Sequence, residues 1–472
     1  MNQPTHAKAS SSPKQIGAAT AAATETGAEQ QNSGSVGLRS SESELERVAK
    51  EGEPKVLNDK LMEQVLSSDN LRAAYLKVKA NQGAAGVDGM GTEELGEFLK
   101  ENWPGLKTKI LEGRYKPSPV RGVTIPKSGG GERHLGIPTV LDRMVQQAIH
   151  QVLDSILDPA FSESSFGYRR GRSAHDAVRK AKRHVVEEGK RWVIDIDIRG
   201  YFDNINHDIL MRELASHIND KRVLHLVGKY LRSGVFEDGR VKRSAKGTPQ
   251  GGPLSPLLGN LYLDALDKEL ETRGVSFCRY ADDITIYAKS ERSAHRIYAN
   301  IVKWITRRLK LEVNEAKSGV RPPEGGSFLG FRIDERDQIA LSEKSVDRFK
   351  EMVREHWDER RCKGGKATLE SWQKRLRGWV GYFRLSERSW DWEDLEGWLR
   401  RHMRKWFWQR WHNQKGRRNA LKRLGVRGEG LKLASSSRRA WRVAKMLNVR
   451  LPNGWLREKG FWVPSDLVGD RV

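Results

Sequence analysis

Apolar residues recur at intervals of three and four along much of the chain, a spacing that predicts amphipathic helices. The first such run begins at Leu57 and reads LNDKLMEQVLSSDNLRAAYLKVKAN. Two stretches alternate apolar and polar residues instead and predict strands: RWVIDIDIRGYF (191–202) and RYADDITIYA (279–288). A glycine-rich turn between β-like runs in GVTIPKSGGGERHLGIP (122–138) predicts a hairpin. Strands mixed with helices, without a regular βαβ rhythm, indicate an α+β fold.

The composition changes at both ends of the chain. Residues 1–54 are rich in Ala, Ser, Thr, Gln and Gly with almost no large apolar side chains, which predicts a disordered tail. After about Ala340 the pattern turns helical, and 12 of the 15 tryptophans lie there. We therefore expect four parts: the tail, a mixed region over 55–340, a helical domain over 341–415 and a basic segment over 416–472.

The positive charge is concentrated in the C-terminal part. The net charge is +24, and residues 341–472 hold 33 basic against 16 acidic residues, so +17 lies there. Such an excess favours a polyanionic partner; the simpler alternative is a solvated surface. In DLEGWLRRHMRKWFWQRW (394–411), helical spacing separates two sets of residues. One stripe, expected to pack, contains Leu399, Met403 and Trp406, and the residues beside or opposite it are Arg401, Arg404, Lys405 and Trp408.

The two cysteines, Cys278 and Cys362, are too few for a disulfide framework or a cysteine zinc site. This count suits a reducing, cytoplasmic setting. No apolar run approaches the roughly 20 residues of a membrane span, and the N-terminus lacks a secretory signal pattern. We expect an intracellular protein without a membrane partner.

Paired carboxylates are the strongest chemical signal. Alternation places Asp195 and Asp197 on the face of their strand opposite the isoleucines, while Asp282 and Asp283 lie at a tight hairpin turn. If the strand lies beside the hairpin, Asp197 and Asp282 converge, and a cation must offset their repulsion. Oxygen-only ligands suit Mg²⁺. Two such ions about 3.5 to 4 Å apart can activate an attacking oxygen and stabilise a leaving oxygen in phosphoryl transfer. For the Asp-Asp pair alone, a solvated acidic turn is the alternative.

A series of motifs in fixed order resembles the reverse transcriptases of group II introns. The motifs are VTIPKSGGGERHLGIP, DIRGYFDNINHDIL, GTPQGGPLSPLLGNLYLDALD, YADD, LKLEVNEAKS and FLGF. The resemblance extends upstream to NQGAAGVDG and downstream to LRGWVGYFR, from about residue 56 to 415. Beyond residue 415 it weakens, and no Cys/His cluster like that of the family's endonuclease domain follows. We therefore expect a member without that domain.

The resemblance implies a right-hand polymerase fold and a set of site residues. Fingers and an antiparallel-sheet palm would occupy 55–340, a helical thumb or maturase domain X 341–415, and a DNA-binding segment 416–472. The implied catalytic residues are Asp197, Asp282 and Asp283, which with the Ile198 backbone would hold two Mg²⁺ ions. The implied dNTP contacts are Lys127, Arg133, Phe202, Gln250 and Lys317, where Phe202 excludes ribonucleotides. The expected RNA and DNA contacts are Arg169, Arg172, Arg377, Arg384, Arg401, Arg404 and Lys405. Asp195 is expected to be structural, Asp208 to support the following helix, and Trp379 and Tyr382 to pack in a core.

The function implied is an RNA-directed DNA polymerase and intron maturase. Its partners would be group II intron RNA, a DNA target with its primer, and dNTPs. It would assist splicing and reverse-transcribe the intron at the DNA target during intron mobility, in a bacterial cytoplasm and at the nucleoid when bound to DNA. Two alternatives remain: a splicing cofactor without polymerase activity, and a related reverse transcriptase serving defence, diversification or DNA repair.

Overall fold

The computed structural model describes residues 60–126, 131–243, 245–359, 365–435 and 443–468. The predicted tail at 1–54 and Lys127 lie outside these ranges. No helix within the described ranges is long and apolar enough to cross a membrane.

Helices make up most of the described chain. In chain order they are α1 (Leu61–Val65), α2 (Ser68–Asn81), α3 (Leu95–Leu111), α4 (Val140–Leu157), α5 (Ala174–Val186), α6 (Tyr201–Asn204), α7 (His207–His217), α8 (Lys221–Leu231), α9 (Ser255–Thr272), α10 (Glu291–Trp304), α11 (Glu343–Arg354), α12 (Gly365–Phe383), α13 (Ser389–Arg410), α14 (Gln414–Arg423), α15 (Ala444–Arg450), α16 (Asn453–Glu458) and α17 (Ser465–Val468). Side-chain caps begin several of them, as where Asn206 Oδ1 accepts the Ile209 N–H at 3.0 Å ahead of α7.

The strands form three sheets in the described part of the chain. They are β1 (Val120–Pro126), β2 (Glu132–Ile137), β3 (Trp192–Ile196), β4 (Val235–Glu237), β5 (Arg240–Lys242), β6 (Ser276–Tyr280), β7 (Asp283–Ala288), β8 (Gly319–Arg321), β9 (Phe331–Ile333) and β10 (Ile339–Leu341). The sheet orders are β2-β1-β4-β5, β6-β7-β3-β8 and β10-β9. The first contains the predicted basic hairpin, with Arg133 opposite Ile125. The mixed helix-and-sheet class expected from the sequence is confirmed.

The second sheet brings the two acidic stretches together. β3 runs antiparallel to β7, with Ile196 opposite Ile284, so the next residue of β3's chain, Asp197, emerges beside the start of β7. On one face of β3, Ile194 and Ile196 join the largest core, against α4 and α9. On the other face, Val193 packs with a smaller cluster that contains Ala177 of α5. The predicted alternation is therefore correct, and α5 covers the acidic face on the side away from Asp197.

The C-terminal helices share a separate aromatic core. Trp357, Trp372 and the predicted stripe of α13, which includes Met403, are buried in it. Phe461 enters the same core. Described residues after 415 therefore share a core with the helices that lie between residues 343 and 410. The opposite face of α13 is buried in part, because Trp408 joins a second cluster with α14 and α15.

Trp372 of α12 contacts the C-terminal segment, and its loss should be costly. The side chain is fully buried, and its Nε1 donates to the Trp462 carbonyl at 2.8 Å. We expect Trp372→Ala to lower the free energy of unfolding by about 3 to 5 kcal/mol, because it opens a cavity in a close-packed core. Trp372→Phe, which keeps an aromatic ring and loses the donor, should cost clearly less. Chemical unfolding of both variants tests this, and equal costs would contradict a cavity effect.

Candidate active site

A two-residue turn places Asp282 directly before Asp283, the first residue of β7. Tyr280 of β6 lies opposite Asp283 of β7, so Ala281 and Asp282 form the loop between the strands. Ala281 has a φ of 57°, the left-handed conformation that such tight hairpin turns require. Gly167 approaches this turn so closely that a Cβ there would lie 2.4 Å from the Ala281 nitrogen. The turn is thus held in shape by its neighbours as well as by its strands.

Asp197 follows β3 and is fixed through its backbone. Its N–H donates to Ser318 Oγ at 2.9 Å, and its carbonyl accepts from the Asn314 N–H at 2.8 Å. Ile198 and Val313 face each other in an isolated antiparallel β-bridge. The backbone hydrogen bonds of this bridge are made by the residues that flank Ile198 and Val313, so the Ile198 carbonyl is not used in it. The Asp197 side chain is 37% exposed, and Lys317 Nζ lies 3.8 Å from its Oδ2.

The carboxylates disfavour each other's charge. Burial raises the pKa of Asp283 to about 6, and the neighbouring charges of Asp282, Asp197 and Asp195 add to the effect, although part of the side chain remains open to solvent. Burial also raises the pKa of Asp282; Asp197 adds to this shift, and Arg133 opposes it. Asp195 is set apart from the other three acids, because Arg321 pairs with its carboxylate at 2.5 Å.

The donor set suits a hard divalent cation. Among the described residues, no three Asp, Glu, His or Cys side chains lie close enough to enclose an ion as they stand. Asp197, Asp282 and Asp283 instead form an open group of oxygen donors, in which the Asp197 charge helps to raise the pKa values of Asp282 and Asp283. Mg²⁺ is commonly held in this way, by a few carboxylates together with waters and substrate phosphates. Asp197, Asp282 and Asp283 therefore fit a divalent cation, for which the resemblance noted in the sequence also calls.

The residues predicted to contact the nucleotide lie on several different elements. Phe202 lies on α6, its carbonyl accepts from the Thr248 N–H at 2.8 Å, and its ring rests against Gly259 of α9, where a Cβ would lie 3.0 Å from Cε1. The Gln250 carbonyl accepts from the Gly136 N–H at 2.8 Å, which joins the PQGG loop to β2. Arg133 is exposed on β2 and acts electrostatically on Asp282.

Two residues predicted to bind nucleic acid have structural roles instead. The Arg169 side chain is 3% exposed and donates to the Asp158 carboxylate at 2.7 Å and to the Ser162 carbonyl at 2.6 Å. Arg404 is buried and donates to the Leu451 carbonyl at 2.9 Å and to Asn453 Oδ1 at 2.7 Å. Both guanidinium groups are occupied inside the protein, so the prediction that they contact RNA or DNA is wrong for this conformation.

The other predicted cations lie nearer the surface. Arg377 and Arg401 are exposed, and the Arg377 guanidinium lies 4.8 Å from the centre of the Trp462 ring. Arg384 is exposed at the end of α12. Arg172 pairs with Glu163 at 2.6 Å, and Lys405 Nζ donates to Asp358 at 2.8 Å. A phosphate would have to compete with a carboxylate at these last two positions.

A groove beside Asp283 escaped the sequence analysis. It has a volume of about 600 Å³ and is lined by Asp283, Lys344 and Arg348 of α11, and Tyr382 of α12. Tyr382 was expected in the core, but it is 36% exposed and its hydroxyl donates to the Leu329 carbonyl at 2.9 Å. Trp379 does pack, with its ring 4.3 Å from that of Phe349. Lys344 and Arg348 of α11 form part of the wall of this groove, which also contains Asp283. Their spacing of four residues, which places both on one face of a helix, was the signal by which the sequence could have identified them.

Comparison with known proteins agrees with this geometry. Residues 125–333 match the family described as reverse transcriptase (RNA-dependent DNA polymerase), and residues 346–425 match the group II intron, maturase-specific domain. The chain is 30% identical to Protein YkfC of Escherichia coli (strain K12), covering 60% of this chain and 84% of that protein. It is 34% identical to the group II intron-encoded protein LtrA of Lactococcus lactis subsp. cremoris, covering 58% of this chain and 45% of that protein.

Among solved structures, telomerase from Candida albicans in complex with a fragment of telomeric RNA matches with a TM-score of 0.41 and 14% identity, covering 75% of this chain and 65% of that one. The chain spans less than half the length of LtrA but most of YkfC. On the two domain matches and the similarity to YkfC and LtrA, the chain belongs to the group II intron-encoded reverse transcriptases, RNA-directed DNA polymerases that carry a maturase domain.

Proposed function

We propose that the chain extends a DNA primer on an RNA template at a site formed by Asp197, Asp282 and Asp283, with two Mg²⁺ ions as cofactors. The observation that carries this proposal is the meeting of these three carboxylates at one end of the β6-β7-β3-β8 sheet, where burial and mutual repulsion raise the pKa values of Asp282 and Asp283. Bound there, Mg²⁺ would activate the primer 3′-hydroxyl and stabilise the charge that develops on the leaving pyrophosphate. The reaction would join that hydroxyl to the α-phosphate of the dNTP.

The remaining residues would bind and orient the nucleotide. Arg133 supplies positive charge near Asp282 and Lys317 supplies it near Asp197, and both groups suit triphosphate oxygens. Lys127 is proposed for the same task from the sequence resemblance alone. Phe202 would crowd the sugar, and Gln250 would lie near the nascent base pair. The Ile198 carbonyl would complete the ligands.

The second part of the proposal concerns intron RNA. The maturase-specific match over 346–425 and the exposed arginines of the thumb, such as Arg377 and Arg401, support binding of structured group II intron RNA and assistance with its splicing. Reverse transcription at a DNA target, with DNA contacts from the basic C-terminal segment, would complete an intron mobility cycle. Salt-sensitive binding is expected, because each phosphate contact releases counterions.

The two activities should separate genetically. Changing Asp197, Asp282 and Asp283 to Asn together should abolish primer extension while most of the splicing activity and RNA affinity remain, because none of these side chains is proposed to hold the intron. Splicing and primer extension assays on the same preparation test this.

The reciprocal variant combines Arg377→Ala and Arg401→Ala. It should weaken RNA binding and lower splicing. The plot of the logarithm of the binding constant against the logarithm of salt concentration should become shallower by about one unit of slope, or slightly less, for each lost phosphate contact. Loss of splicing in the triple Asn variant, with its RNA affinity intact, would contradict the division of labour between palm and thumb.

A further inference from the structure

Arg279 immediately precedes the YADD turn and is completely buried. Its side chain and that of Asp267 on α9 are both 0% exposed. Arg279 Nε donates to the two Asp267 oxygens at 2.8 and 3.0 Å, and Nη2 donates to Asp267 Oδ2 at 2.5 Å. Nη1 donates to Asn260 Oδ1 at 2.9 Å and to the carbonyl of Ala281 at 3.0 Å. All three nitrogens of the guanidinium therefore have partners, and one of these partners belongs to the turn.

The same elements hold the turn from a second side. Asn260 and Asp267 are seven residues apart on α9, two helical turns, so they share the face that meets β6. Asn260 Nδ2 also donates to the Gly167 carbonyl at 2.8 Å, and Gly167 is the residue packed against Ala281. Asn260 thus joins Arg279 to the segment that confines the turn.

Stability alone does not account for this ion pair. Removing two charges from water is costly, and well-packed apolar residues often replace a buried ion pair without loss of stability. An apolar pair could fill the same volume between α9 and β6. It could not donate a hydrogen bond to the Ala281 carbonyl, which would then be a buried acceptor without that donor.

The Ala281 carbonyl matters because of its place in the chain. It belongs to the same planar peptide unit as the nitrogen of Asp282, so fixing the carbonyl also fixes the direction in which Asp282 leaves the turn. Ala281 has a positive φ, a conformation that persists only where its surroundings hold it. A rigid fork anchored by Asp267 is well suited to that task, because a guanidinium presents its donors in one plane.

We propose that Arg279 is a positioning residue, which through the Ala281 carbonyl orients Asp282 and so sets the affinity of the carboxylate group for divalent cations. This inference rests on the proposed function, in which those carboxylates bind Mg²⁺. Burial opposes the charge of Arg279, but the Asp267 carboxylate against it raises the Arg279 pKa, so the guanidinium keeps all five donors.

The test is Arg279→Lys, which keeps a positive charge opposite Asp267 and loses the planar fork. We expect the Mn²⁺ dissociation constant of the full chain, measured by electron paramagnetic resonance without nucleotide or nucleic acid, to rise about tenfold, the loss expected for one hydrogen bond. The Mg²⁺ concentration for half-maximal primer extension should rise in parallel, with kcat at saturating Mg²⁺ changing less. A merely structural role would lower the melting temperature and leave the metal dependence unmoved.

Two further variants make the result decisive. Arg279→Met combined with Asp267→Leu removes the pair while filling its volume, and it should fold with weakened Mn²⁺ binding. Arg388→Lys is the matched control, because Arg388 is also buried against a buried carboxylate, Asp334, at 3.5 Å, but does not touch the turn. Its Mn²⁺ affinity should equal that of the unaltered chain.

Unchanged Mn²⁺ affinity in folded Arg279→Lys and in the Met/Leu variant would overturn the inference while leaving the proposed function intact. An equal loss in Arg388→Lys would also overturn it, since any buried arginine would then serve. An unaltered chain that neither binds Mn²⁺ nor requires Mg²⁺ for primer extension would refute the proposed metal site itself.

Discussion

Replacing Asp282 with Asn should lower Mg²⁺-dependent primer extension by at least about 1000-fold, because losing one charged ligand removes several kcal/mol of transition-state stabilisation and each factor of ten is worth about 1.4 kcal/mol. Asp282 lies in the turn between Ala281, which has a positive φ, and Asp283 at the start of β7. The amide has nearly the same shape, so the fold should be retained. Single-turnover extension of a DNA primer on an RNA template measures the effect.

The matched control is Asp208→Asn. Asp208 is exposed in the first turn of α7, which Asn206 caps. Its substitution therefore makes the same chemical change on the same domain and leaves Asp197, Asp282 and Asp283 unaltered. Its extension rate should stay close to that of the unaltered chain. RNA affinity should be unchanged in both variants. Substantial extension by Asp282→Asn at ordinary Mg²⁺ concentrations would contradict the assignment of Asp282 as a metal ligand.

Local patterns were sufficient to predict the framework of this site. The alternation around β3 identifies which side chains share a face, because the period of a strand is two whatever the rest of the fold does. Two apolar-rich runs separated by a short acidic turn likewise predict β6 and β7, and pairing β3 with β7 brings Asp197 beside them. The spacing of Leu399, Met403 and Trp406 correctly predicts a buried stripe on α13.

Burial of charged residues could not be predicted in the same way. Arg279 sits in an alternating strand and would be assigned to solvent from sequence alone, yet Asp267 and Asn260 meet it only because α9 packs across β6. Arg169 and Arg404 were likewise predicted to face nucleic acid, because the sequence does not show that their guanidinium groups have partners inside the protein. A count of charges does not show which of them the fold has already paired, because that depends on how the chain packs around each charged group.

Replacing Phe202 with Val should reduce the preference for deoxyribonucleotides over ribonucleotides by about 100-fold, the scale on which a steric pocket discriminates a single hydroxyl. The backbone of Phe202 is held by the Thr248 N–H, and one side of its ring rests on Gly259, so the ring has a defined position that a shorter side chain would vacate. The space gained would accept a 2′-hydroxyl. The ratio of kcat/KM for dNTP and rNTP incorporation measures the change.

The effect should appear chiefly as a better kcat/KM for the ribonucleotide, since the carboxylates that support chemistry are untouched. Phe236→Val is the matched control: it makes the same substitution at an exposed phenylalanine of β4, and its discrimination should not change. If Phe202→Val lowers dNTP and rNTP incorporation equally, Phe202 supports the local fold and does not read the sugar. Improved ribonucleotide incorporation with unaltered dNTP incorporation is the result that a steric gate requires, because only the larger sugar meets the ring.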